Sequence, residues 1–103
     1  FVYADEADLL NMVLFGMTAA EWRKANPGKN GNMRDYATIA QLLVLSNLEN
    51  INALFINNGM PQRERIQKLS HMAREQLTAL LENNSVKGLK ALDNENKEGE
   101  ADE

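Results

Sequence analysis

The 103-residue chain has no cysteine, two prolines, six aromatic residues and one histidine. Without cysteine there is no disulfide framework, no thiolate zinc site and no thiol nucleophile. The scarcity of β-branched and aromatic residues in alternating runs, and of hairpin dipeptides between them, argues against a sheet. No uninterrupted apolar run approaches the roughly 20 residues that span a bilayer. The first residues carry Asp5, Glu6 and Asp8 where an export signal would be basic. These absences leave a small soluble all-α domain with no membrane segment, expected in the cytoplasm. Because Phe1 rather than Met leads, the chain is expected to be a processed product or a piece of a longer protein.

Net charge is −4, unevenly placed. Residues 1–81 hold eight acids and eight bases; residues 82–103 hold seven acids against Lys87, Lys90 and Lys97. A neutral body with an acidic tail is a poor footprint for a duplex-binding protein. Residues 1–82 read as one helical domain, and 83–103 as a largely disordered acidic tail in which Val86, Leu89 and Leu92 offer one weak apolar turn.

Helical spacing divides the body into a bundle of about four helices. The first runs over 4–15, with Leu9, Leu10, Val13 and Met17 on one face and acids in the first turn, where the macrodipole favours them. Gly16 stops it. Thr18 and Glu21 have the form of a capping box for a second helix over 19–25, which ends at Asn26-Pro27 because proline disfavours helical backbone in the residue before it. A third helix is predicted over 36–57, with Asp35 and Thr38 as competing caps. Apolar residues surround it, so it needs neighbours on every side, and a second copy of the chain is one candidate neighbour. Asn57-Asn58-Gly59 closes it, and Pro61 opens an amphipathic fourth helix over 61–81. The short link makes the last two helices an antiparallel hairpin.

No catalytic constellation is visible. His71 has no partner at metal-ligand spacing, and Ser46, Ser70 and Ser85 lie outside any nucleophile context. The chain is therefore expected to be non-catalytic, without cofactor or metal. Two features invite a partner instead. Arg23, Lys24, Lys29 and Arg34 are the only charges between Glu21 and Asp35, set among Gly28, Gly31 and their loop amides. They read as a joint between helices or as a contact for phosphate or a partner's acidic surface, with Arg63, Arg65 and Lys68 as possible additions. Leu45, Leu48, Asn52, Phe55 and Ile56 on the third helix are candidates for self-association; Asn47, Asn50 and Asn52 either emerge at gaps between neighbouring helices, the favoured reading, or fix register there, as a lone core Asn does in coiled coils.

The stretch from Phe15 to Ala73 also carries a distinctive string: Trp22-Arg23 with Asn26-Pro27, Gly31-Asn32 with Arg34-Asp35-Tyr36-Ala37, Gln41 to Asn47 with Glu49, and Gln62-x-x-Arg65. In this it resembles the region that follows the KilA-N domain in many phage-derived and bacterial KilA-N proteins, across roughly residues 3–78. The resemblance implies an upstream DNA-binding KilA-N domain, a small α/β module. No part of that module lies in this chain, so none of its functional residues transfers here. What is implied is a helical interaction or oligomerisation module that self-associates or docks on the upstream domain, with DNA contacted by that domain. Direct nucleic-acid binding through Arg23 to Arg34 is the alternative.

Overall fold

The structure, a computed structural model, describes residues 2–82. It contains α1 (Glu6–Phe15), α2 (Ala19–Ala25), a single 3-10 turn (Met33–Tyr36), α3 (Ile39–Asn57) and α4 (Gln62–Glu82), with no strand among the described residues. The expectations for 83–103 lie outside them.

Local chemistry accounts for each boundary. Asp5 caps α1 by accepting from the Ala7 amide, and Gly16 ends it in the left-handed region at φ 77°. The reciprocal Thr18–Glu21 capping box opens α2. The Thr38–Gln41 box opens α3 three residues later than the sequence suggested. The intervening residues are not helix α3 but their own turn. Asn32 accepts from the Arg34 and Asp35 amides while Asp35 accepts from the Asn32 amide. Asp35 thus serves the 3-10 turn, which leaves Thr38 as the cap of α3.

α1, α3 and α4 enclose one core of Leu9, Leu10, Val44, Leu45, Leu48, Leu69 and Ala73. Asn52 meets Arg65 near the link between α3 and α4, and Asn47 meets Gln76 farther along. Rising number on one helix therefore matches rising distance from the link on the other, so the two run antiparallel. The N-terminal segment is strapped to the start of α4, where the Gln62 amide group accepts from the Tyr3 N–H (2.7 Å) and donates to the Tyr3 carbonyl (2.8 Å).

α2 and the 3-10 turn pack apart from this core, around Trp22 and Met33. Trp22 and Tyr36 are tilted against each other with ring centroids 5.3 Å apart.

α3 is apolar on all sides, but only half of it is covered. Ala40, Val44, Leu45, Leu48 and Asn52 face inward, while Leu42, Leu43, Leu54 and Ile56 are 41%, 43%, 61% and 42% exposed. By length and a mean hydropathy of 1.4, α3 would also suit a membrane span. Its inner face is committed to α1 and α4, and its outer face carries Asn47, Glu49 and Asn50, side chains that a lipid-facing helix avoids.

Candidate functional site

Of the four cations in the last turn of α2 and the segment that leads to α3, three are engaged within the chain. Arg23 lies 4.9 Å over the Trp22 ring and donates to the carbonyls of Lys29 (2.5 Å), Asn26 (3.4 Å) and Gly31. An arginine fork suits several acceptors at once, and here it draws residues 26–31 into a closed loop. Lys29 sits 5.0 Å over the ring of Tyr36, whose hydroxyl donates to the Asn30 carbonyl (2.8 Å). Arg34 donates to Asn11 (3.3 Å) and pairs with Glu49 at 3.7 Å. Lys24 has no hydrogen bond, ion pair or ring contact among the described residues.

The loop amides beside Gly31 are occupied as well. Asp35 accepts from the Asn32 N–H at 2.8 Å, and Asn32 accepts from the amides of Arg34 (3.0 Å) and Asp35 (3.3 Å). The anion that this turn holds is the chain's own carboxylate. Gly31 is required twice: its φ is +82°, and a Cβ would collide with the Asp35 carboxylate. The sequence showed an Asn followed three residues later by an acid, a cap signature that could have identified the turn.

The candidate self-association residues divide. Leu45 and Leu48 are core, and Phe55 is partly buried against it; only Ile56 is exposed. Asn52, 3% exposed, joins a polar cluster tying three helices. Its amide nitrogen donates to Glu6 (2.8 Å), its oxygen accepts from Arg65 Nε (3.0 Å), and Arg65 donates further to Glu6 (2.8 Å) and the Met60 carbonyl (2.7 Å). Arg65 is itself 7% exposed, so it faces the bundle interior and is no addition to a phosphate surface. The signal lay in its position: Arg65 precedes Leu69 by four residues and Met72 by seven, on the buried stripe of α4.

The outer face of α3 leaves Leu42, Leu43, Leu54 and Ile56 exposed. At about 100° per residue, Leu43, Asn47, Asn50 and Leu54 fall in one arc along the α4 edge of the exposed side, where Asn47 donates to Gln76. The only charge on the helix, Glu49, lies off this arc beside Arg34. A groove of about 310 Å³ between α1 and α3 borders the other edge, lined in part by Leu10, Arg34, Ala53 and Ile56. His71 is exposed and pairs with Glu75 at 2.7 Å, and no cluster of metal-ligating side chains occurs among the described residues.

The fold defines the molecule as a small all-α protein built on a three-helix core. No family model, curated protein or solved structure matches the chain.

Proposed function

We propose that this chain is a non-catalytic helical interaction module that associates with a second copy of itself through the outer face of α3. One observation carries the reading: a helix apolar on all sides has only half of its circumference covered, leaving four large aliphatic side chains 41–61% exposed. A second copy suits the Leu43–Leu54 part of this face because it carries no charge, whereas the Leu42–Ile56 row carries Glu49, which pairs with Arg34. Following the resemblance to KilA-N proteins, the module would accompany a DNA-binding domain in a cytoplasmic phage-derived or bacterial protein. DNA would be contacted by that domain. Direct nucleic-acid binding through Arg23, Lys24, Lys29 and Arg34 has less support, since only Lys24 is uncommitted.

Light scattering across a dilution series tests this. The chain should show dimer mass in the micromolar range, and Leu54→Glu should shift it to monomer while leaving the melting temperature nearly unchanged, as an exposed substitution does. A plain monomer up to about 1 mM would end the reading.

A further inference from the structure

A second groove, of about 250 Å³, lies between α1, the start of α2 and the 3-10 turn, lined by Ala7, Asn11, Ala19, Asn32, Met33 and Arg34. The polar side chains along it have only donors left to offer. Asn11 is 4% exposed, and its side-chain oxygen accepts from Arg34 Nε at 3.3 Å, which leaves its amide nitrogen with no acceptor among the described residues. No buried side-chain nitrogen or oxygen among those residues lacks a partner, so the Asn11 nitrogen is open to the groove rather than sealed beneath it. The Asn32 side-chain oxygen is taken by the amides of Arg34 and Asp35, and its amide nitrogen is free. Arg34 commits Nε to Asn11 and Nη1 to Glu49 at 3.7 Å, and Nη2 has no partner among the described residues. No acid lines the groove.

These donors suit an anion with two acceptors in one plane. A carboxylate meets a guanidinium edge and an amide N–H together. The charge already present sets the valence: a single arginine faces the groove, and Glu49 beside it partly offsets that charge, so a monoanion is balanced where a phosphate dianion is not. Ala7, Ala19 and Met33 supply apolar walls for a short aliphatic body. We infer that this groove is a binding site for a small aliphatic carboxylate, held by Asn11, Asn32 and Arg34. The site is independent of self-association through α3. Its carboxylate can come from a free small molecule or from the chain's own acidic segment, which carries Asp93, Glu95, Glu98, Glu100, Asp102 and Glu103.

The test is sodium butyrate titrated into the full-length chain, against sodium chloride at equal ionic strength, with backbone and side-chain amide signals followed by NMR. Shifts should centre on Asn11, Ala19 and Asn32 and saturate with a Kd of about 1–10 mM, within the ceiling for a ligand of this size. Asn11→Asp keeps an acceptor for Arg34 but replaces the free donor with a negatively charged oxygen, so it should weaken binding by at least about tenfold, with the melting temperature reporting that the fold is kept. Glu49→Gln lies outside the groove and removes the charge that competes for Arg34, so it should tighten binding by about threefold. Shifts that sodium chloride reproduces, that survive Asn11→Asp at equal strength, or that weaken in Glu49→Gln would overturn the site. Replacing the six acids of 93–103 by Asn and Gln in the full chain identifies the source. A rise in butyrate affinity makes that segment the competing occupant, an unchanged affinity assigns the groove to a separate carboxylate, and both results uphold the site.

Discussion

Two Arg–Asn–Glu clusters hold this molecule, and they differ in kind. Arg65, Asn52 and Glu6 join α4, α3 and α1 through bonds of 2.8–3.0 Å, with Arg65 7% exposed. Arg34, Asn11 and Glu49 join the connector to α1 and α3, but at 3.3 and 3.7 Å. The Arg34 and Glu49 side chains are 36% and 49% exposed. The same residue types thus give a structural lock in one place and a loose tether in the other. Burial makes the difference: water competes weakly for Arg65 and strongly for Arg34.

The largest effect should come from Arg65→Ala. The substitution leaves the buried Asn52 oxygen and the Met60 carbonyl without donors, and Glu6 without its counter-charge. Breaking a buried pair costs about 3–5 kcal/mol, and because the Glu6 side chain is 42% exposed and can rehydrate, the expected loss is about 3 kcal/mol. For a domain of this size that is a fall of roughly 12–20 °C in melting temperature. Arg65→Lys should recover little, since an ammonium cannot reach three acceptors in a planar fork. A melting temperature within about 3 °C of the parent would show the cluster to be incidental.

How far the sequence announces this architecture depends on the range of the interaction. The box at Thr18–Glu21 and the stops at Gly16, Asn26-Pro27 and Asn57-Asn58-Gly59 are local chemistry, and they place α1, α2 and the end of α3 to within two residues. Asn32 to Asp35 is equally local, yet Asp35 reads as a cap for α3 until the turn it closes is seen. The polar clusters are not local. Asn11 and Arg34 are 23 residues apart, Glu6 and Arg65 are 59 apart, and only packing brings them together. For the same reason Leu45, Leu48 and Asn52 were plausible contact residues: a helix apolar on all sides does not say which side its own chain covers. The four cations from Arg23 to Arg34 were also misleading as a set. Their proximity in sequence suggested a common target, whereas Arg23 binds loop carbonyls, Lys29 lies over Tyr36 and Arg34 turns to α1 and α3.

A second, smaller effect separates the connector from the core. Gly31→Ala places a side chain at φ +82° and against the Asp35 carboxylate. Left-handed backbone costs an alanine about 1–2 kcal/mol, and displacing Asp35 from the Asn32 amide adds up to about 1 kcal/mol. The loss should fall on the connector, because that segment packs around Trp22 and Met33 rather than within the core of α1, α3 and α4. Amide exchange over 26–37 should quicken by about tenfold or more while the slowest amides of α3 and α4 change little. Equal acceleration in both regions would mean that connector and core unfold as one unit, and the contrast between them would dissolve.

The smallest effect is expected at Arg34, and its sensitivity to salt is what distinguishes it. A half-exposed pair at 3.7 Å is worth at most about 1 kcal/mol, and it is screened over roughly 10 Å at 0.1 M salt and about 3 Å at 1 M. Arg34→Ala should therefore cost about 1 kcal/mol at low salt, part of it from Asn11, which is 4% exposed and loses its donor. The coupling energy between Arg34→Ala and Glu49→Ala, measured in a double-mutant cycle, should shrink toward zero at 1 M salt. The coupling between Arg65→Ala and Glu6→Ala should persist, because the Arg65 end of that pair is shielded from ions. If the two couplings fall in parallel as salt rises, then burial of one partner does not protect the Arg65 cluster, and both would be surface tethers differing only in length.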